Sequence, residues 1–178
     1  MTNKKIKIHV KNNHWAPGSF PTDAEGEENF TITKEHLDEA LNNFPEIKEK
    51  VEIFVDWDED NFKTSMANSD ILVAWSFPTT NLKKIAPNLK WIHVISAGVE
   101  HLHPLDWMFD GLVLTNSSGA HAKKAGEYGL MSILMLQNHI TKIITNQKNK
   151  NFVSLFSNPV AGKTVVLVGT GNLGASMA

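Results

Sequence analysis

Short apolar runs of strand length recur along the chain with helix-like segments between them, and this alternation limits the fold more than any other feature. "KIKIHV" (Lys5–Val10) alternates polar and apolar residues and carries β-branched side chains on its apolar side, which predicts a strand. "VEIFV" (Val51–Val55), "DILVAW" (Asp70–Trp75), "LKWIHVI" (Leu89–Ile95), "LVLTN" (Leu112–Asn116) and "KTVVLVG" (Lys163–Gly169) read the same way. "TKEHLDEALNNF" opens on Thr33, a good N-cap, and sets Leu37, Ala40, Leu41 and Phe44 on one helical face. A shorter helical stretch holds Phe62 and Met66, "TNLKKIA" is a helix stopped by Pro87, and Ala120–Ile144 reads as one long, largely apolar helix. Strands separated by helices pair in parallel through crossovers, so the expected fold class is α/β with a doubly wound parallel sheet. Trp75 and Trp91 fall on expected strands and are assigned to the core.

Composition removes several function classes. The chain has 178 residues with a formal net charge of -2 and no basic run, so nucleic acid is not an expected partner. The longest apolar stretch, "GLMSILML", is too short to cross a bilayer. The lysines near the N-terminus are not followed by an apolar segment, so no signal peptide is expected and the cytoplasm is the default location. The absence of cysteine excludes disulfides, thiolate nucleophiles and cysteine–zinc sites. All 17 basic residues are lysine. A mechanism that needs a planar bidentate fork on a carboxylate therefore cannot be completed by these residues.

Several places carry possible chemistry. Gly169-Thr170-Gly171-Asn172-Leu173-Gly174 fits G-x-G-x-x-G and follows an apolar β-branched run. The first glycine would allow the turn, the second would let backbone approach a pyrophosphate, and the third would let helix and strand pack closely. That makes Gly169, Gly171, Asn172, Leu173 and Gly174 candidate cofactor-binding residues, against a glycine turn that serves packing alone. The acidic residue that grips a ribose would lie about twenty residues further on, past Ala178. "SAGVEHL" (Ser96–Leu102) follows the fourth expected strand. Successive N–H groups at Ala97, Gly98 and Val99 would suit a small carboxylate, against an ordinary βα turn capped by Ser96. Ser76 and Phe77, in "SFPTT" after the third strand, would line a pocket at the same sheet edge. The long loop Asn12–Asn29, with Pro17, Gly18, Pro21 and Gly26, has the length of a functional loop. His101 and His103 have no third partner at metal-site spacing, so no metal is expected. Glu127, in the apolar helix, is expected to hydrogen-bond backbone, and His121 to cap that helix or line a pocket.

The succession "NLKWIHVISAGVEHL", "GLVLTNSSGAHAKKAGEYGLMSILML" and "LVGTGNLG" resembles the D-isomer-specific 2-hydroxyacid dehydrogenases over Leu89–Ala178. The resemblance implies a flavodoxin-like substrate domain over residues 1–119, an inter-domain crossover helix over 120–150, and the first strand and turn of a Rossmann domain over 151–178. It implies NAD or NADP as cofactor, a 2-oxo or 2-hydroxy acid as substrate, a homodimer, and backbone donation to the substrate carboxylate by Ala97, Gly98 and Val99. It places Trp75–Phe77 at the border of the substrate pocket. Family members read alanine where this chain has Gly126, which puts local helix packing in question. The family's catalytic arginine, glutamate and histidine follow the glycine fingerprint, so no catalytic residue is assigned here. The chain is expected to be a truncated portion that neither turns over substrate nor holds the dinucleotide alone.

Two other classes compete. One is a non-catalytic relative, or a natural truncated product, that kept the fold and lost the chemistry. The other is a lone flavodoxin-like domain binding FMN, or a receiver. A receiver needs a phosphoacceptor aspartate at the end of the third strand, and only Asp56 and Asp58 follow the second.

Overall fold

A computed structural model describes residues 4–19 and 27–178. Five strands form one sheet: β1 (Ile6–Asn12), β2 (Val51–Trp57), β3 (Ile71–Ala74), β4 (Trp91–Val94) and β5 (Val113–Asn116). Every pairing is parallel and the order is β2-β1-β3-β4-β5. The chain first winds outward from β1 to β2, then returns to β3 on the other side. That reversal sets a switch point between β1 and β3, where ligands of open α/β sheets bind beyond the strands' carboxyl ends.

Register fixes which residues share a face. Leu72 and Ala74 of β3 lie beside Ile92 and Val94 of β4. These pack with Phe62 and Met66 of α3 (Phe62–Met66), Leu82 of α4 (Leu82–Ile85), and Phe77, Leu89, Leu102 and Leu112 in the core. Leu72, Met66 and Ile92 are wholly buried, and each contributes about 1.5–3 kcal/mol on burial. His9 and Lys11 of β1 register with Leu72 and Ala74, so they point into the same layer. On the opposite face, Leu37 and Leu41 of α1 (Lys34–Asn42) line a hollow with Val51, Ile53 and Val55 of β2. Thr33 caps α1 reciprocally: its Oγ1 accepts from His36 N at 3.3 Å, and His36 Nδ1 accepts from Thr33 N at 3.4 Å. A short α2 (Pro45–Lys48) leads into β2.

Three expectations change. Trp91 is not in the core: it lies on the outer face, 40% exposed, and donates from Nε1 to Thr115 Oγ1 at 2.8 Å. The single long helix is two, α5 (Ala122–Gln137) and α6 (Ile140–Lys148). Asn138 Nδ2 donates to the Leu134 carbonyl at 2.8 Å, and His139 takes φ +54. An asparagine that bonds back to its own helix and a left-handed residue after it end the first helix there. The expected strand over Lys163–Gly169 does not form. A parallel strand needs a neighbour for its ladder, and the described residues offer only the five-stranded sheet. Val166 and Val168 are 80% and 98% exposed.

The chain divides into two compact units, Met1–Ser117 and Ser118–Ala178. In the second, α7 (Asn172–Met177) packs on α5. A Cβ at Gly126 would overlap the Ser176 carbonyl oxygen, and one at Gly129 would overlap the Met177 side chain. Gly126 is thus a close-approach position for α7. No described helix is long and apolar enough to cross a membrane.

Candidate functional site

The loop after β4 has its main chain committed on one side. The Ser96 carbonyl accepts from Ser117 N at 2.9 Å. The Ala97 carbonyl accepts from Asn116 Nδ2 at 2.9 Å. The Gly98 carbonyl accepts from Ser96 Oγ at 2.6 Å. Three successive carbonyls are therefore tied down by the end of β5 and by the loop itself. The N–H groups of Ala97, Gly98 and Val99 have no acceptor among the described residues. Oriented, unsatisfied donors in a row make a concavity for an anion. Ser96 is buried and closes this turn rather than capping a helix. A Cβ at Gly98 would overlap the Glu100 carboxylate, so glycine lets that side chain fold back over the loop.

The ends of β1 and β3 meet beside this loop across the switch point. Lys11 is 3% exposed, and its Nζ donates to Asn13 Oδ1 at 3.2 Å. Asn13 Nδ2 donates to Ser76 Oγ at 3.0 Å. Asn12 clasps the far end of the following loop: Nδ2 donates to the Ile32 carbonyl and Oδ1 accepts from Ile32 N, both at 2.9 Å. That loop was expected to be functional over Asn12–Asn29, and residues 20–26 of it lie outside the described residues. Trp75 is half-buried at the edge of the crevice. His101 stacks on it at 5.8 Å and bonds its carbonyl through Nε2 at 2.7 Å, while Trp15 and Phe30 meet it edge-on at 5.8 and 5.3 Å. Phe77 is buried, and its ring meets Trp107 edge-on at 5.4 Å.

Electrostatics follow burial. Burial holds Lys11 below the ordinary lysine range, opposed by Glu59 and Asp58. Burial also lowers His9, with Asp56 opposing and Lys11 assisting. His9 Nε2 lies 3.4 Å from Asp56 Oδ2, but neither ring nitrogen makes a hydrogen bond. Desolvation outweighs this poorly aligned attraction, so His9 is a neutral imidazole at physiological pH. Asp58 pairs with His14, through its ring Nδ1 and through the backbone N at 2.8 Å. Those bonds hold the Asp58 carboxyl below its usual range.

In the second unit, Gly169 takes φ +93, which favours glycine. A Cβ at Gly174 would overlap the Gly169 carbonyl oxygen, so the third glycine serves close approach to the turn itself. Gly171, the N-cap of α7, has open space where a Cβ would stand. Asn172 Nδ2 donates to Ser118 Oγ at 3.3 Å, and Leu173 is half exposed.

Ser76 and the 97–99 loop thus share one sheet edge, whereas Phe77 belongs to the core. Glu127 is exposed and pairs with Lys124 at 3.4 Å rather than with backbone. His121 precedes α5 without a side-chain cap bond. Among the described residues no group of His, Cys, Asp or Glu is arranged for a metal. Sequence reasoning missed Asn116, Lys11 and Asn13. The signal for the last two is a run of polar residues directly after an apolar strand.

No family model matches the chain. It is similar to erythronate-4-phosphate dehydrogenase of Shewanella loihica, 27% identical over 118 residues, which is 65% of this chain and 27% of that protein. The Shewanella oneidensis erythronate-4-phosphate dehydrogenase is 26% identical over 113 residues, 62% of this chain and 26% of that protein. Among solved structures, a D-isomer-specific 2-hydroxyacid dehydrogenase from Xanthobacter autotrophicus in complex with NADPH and MES gives a TM-score of 0.64 at 17% identity, over 96% of this chain and 49% of that one. A D-lactate dehydrogenase from Aquifex aeolicus complexed with NAD and lactic acid gives 0.57 at 16% identity, over 96% and 46%. The neighbours in sequence and in structure are D-isomer-specific 2-hydroxyacid dehydrogenases, and the likeness covers most of this chain. The match spans about a quarter of the length of the curated relatives and about half of the solved chains.

Proposed function

We propose that the chain supplies the substrate-carboxylate site of an NAD(P)-dependent oxidoreductase that interconverts a 2-oxo acid and a D-2-hydroxy acid. The observation that carries this reading is the loop at Ala97–Val99, with three carbonyls tied back and three N–H groups left to donate. Such donors hold a carboxylate in place without a side-chain cation. Gly169, Gly171, Asn172, Leu173 and Gly174 would receive the dinucleotide pyrophosphate, a role that suits the open space at Gly171 and the positive φ of Gly169. A nicotinamide held there would supply the hydride to C2 of the 2-oxo acid, or accept it from the hydroxy acid. The oxygen at C2 gains a proton in reduction and loses one in oxidation. With no arginine in the sequence, no residue is assigned to polarise the 2-oxo group, and the 178 residues alone are proposed to bind the acid without turning it over.

Amide NMR tests the site. Pyruvate should shift the amide signals of Ala97, Gly98 and Val99, and the uncharged amide pyruvamide should not. Equal shifts from both, or none from pyruvate, would remove the carboxylate reading. For the oxidoreductase itself, the product of the complete reading frame should oxidise NADH or NADPH with at least one of a panel of 2-oxo acids. A non-catalytic binding protein is the second reading, since main-chain donors at Ala97–Val99 can hold a carboxylate whether or not turnover follows. Pyruvate binding with no turnover by that complete product would select it.

A further inference from the structure

Charge is divided unevenly along the chain. Met1–Ser117 carries 11 lysines against 18 acidic residues, a formal charge of -7, whereas Ser118–Ala178 carries six lysines against one glutamate, +5. That glutamate is Glu127, so residues 128–178 hold no acidic side chain. Lys142, Lys148 and Lys150 belong to α6 and its end, and none makes an ion pair or side-chain hydrogen bond among the described residues. α6 is amphipathic: Ile140, Ile143 and Ile144 form one stripe, and threonine, asparagine and lysine occupy the rest. Its end turns the chain back. Lys150 takes φ +52, its N–H donates to the Gln147 carbonyl at 3.0 Å, and Asn151 N donates to the Asn146 carbonyl at 2.9 Å. This pair of bonds is a Schellman cap. Further on, Gln137 Nε2 donates to the Asn158 carbonyl at 2.8 Å, and Ser157 Oγ donates to Asn138 Oδ1 at 2.9 Å. The segment 151–158 is thereby pinned at both ends. Between the pins, Phe152, Val153 and Leu155 line a groove of about 630 Å³ with Lys150 and Ile143. Phe152 and Phe156 nevertheless stand 94% and 90% exposed, beside Ile143 and Ile144 at 42% and 41%. A tether that holds two phenylalanines in water argues for a partner that covers them. Two such faces brought together would set both groups of lysines against each other, so the face repels its own copy.

We propose that α6 and residues 150–156 form a docking surface for an anionic lipid bilayer. Phe152, Phe156 and the isoleucine stripe enter the boundary between headgroups and acyl chains, and Lys148 and Lys150 meet lipid phosphate beside them. The element lies on the bilayer and does not cross it: α6 has nine residues, where a span needs about 20. The inference is independent of the carboxylate loop and of the dinucleotide reading.

Vesicle flotation tests this with the 178-residue chain. Phosphatidylcholine vesicles that contain phosphatidylglycerol should bind the protein about 30-fold more tightly than phosphatidylcholine alone, on the order of fivefold for each of two lysines. Added salt should erase that preference, because exposed charges are screened. Phe152→Ser combined with Phe156→Ser should abolish binding to both vesicles. Both side chains are almost fully exposed, so the fold does not depend on them. Lys148→Gln combined with Lys150→Asn should bring the ratio close to one, and asparagine tolerates the left-handed conformation at 150. Leu130→Gln, on α5, should leave both affinities unchanged. Equal binding of the wild type to both vesicles would overturn the proposal. So would binding lost in Leu130→Gln and kept in the phenylalanine variant, which would move the contact to α5. Soluble polyphosphate that competes equally with vesicles for the wild type and for the phenylalanine variant would reduce the effect to ion exchange and overturn it too. A phenylalanine variant that loses self-association in light scattering but keeps its vesicle affinity would give the face to a second copy of the chain instead.

Discussion

Replacing Gly126 by alanine should detach α7 from α5. Alanine favours the helical state of α5 by about 1 kcal/mol over glycine. The new methyl group, however, would lie 2.9 Å from Ser176 Oγ and 3.2 Å from the Ser176 carbonyl carbon, and would overlap the carbonyl oxygen. Ordinary contact begins near 3.5 Å, so α7 must back away by about 1 Å. Its obstacle is main chain, which cannot swing aside as a side chain can. Overpacking of this kind costs about 1–3 kcal/mol, which offsets or exceeds the propensity gain. α7 has six residues, far fewer than the roughly 12 an isolated helix needs, so it survives only while docked. Amide hydrogen exchange reads this directly. The Ala175 amide, bonded to the Gly171 carbonyl at 2.8 Å, and that of Ala178, bonded to Gly174 at 3.2 Å, should lose protection. Amides within α5 should keep theirs or gain. Gly129→Ala should be milder, because its obstacle is the flexible Met177 side chain. Wild-type protection at Ala175 and Ala178 in Gly126→Ala would refute the close-packing argument.

Three further outcomes can be measured. Asn116→Ala removes the bond that ties down the Ala97 carbonyl, so pyruvate affinity should fall about fivefold, one ordinary hydrogen bond's worth; unchanged affinity in an NMR titration would mean the tie does not organise the loop. Burial depresses His9, and His93 likewise. The unfolded chain takes up these protons near pH 6.5 while the folded one does not. Stability should thus be full above that pH and fall by at most about 1.4 kcal/mol per pH unit per histidine as pH drops toward the folded values. Urea unfolding midpoints that stay level from about pH 7.5 to about pH 5 would contradict it. Tyr128, Leu130, Met131 and Leu134 of α5 are 40–58% exposed, so the chain should self-associate through that face; a strictly monomeric species across a concentration series in light scattering would count against this.

The sheet was legible in the sequence because each strand is a compact apolar run bounded by polar or turn residues. The buried polar layer was not. Lys5, Lys7, His9 and Lys11 alternate with Ile6, Ile8 and Val10, a period that normally marks one wet face. β1 is central, however, with β2 on one side and β3 on the other. Helices on both sides of a doubly wound sheet leave a central strand little wet face, so His9 and Lys11 are enclosed despite their chemistry. Of the site, the glycines and the serine-alanine-glycine turn could be found by motif. Asn116 could not, since its partner lies 19 residues away and the bond depends on how β4 and β5 align. The break after α5 was readable at Asn138, but the apolar pattern on either side masked it.

The carbonyl-tied loop has a consequence for how such a protein can change. Its proposed hold on the common end of every substrate is made of peptide groups, which most substitutions in the loop leave in place. Choice among substrates would fall instead to side chains just past the ends of β1 and β3, at positions 13, 75 and 76. Grip and discrimination are thus separately heritable. A library varied at those three positions should yield altered acid preferences in folded, carboxylate-binding proteins, where a site built on an arginine would risk losing both at once.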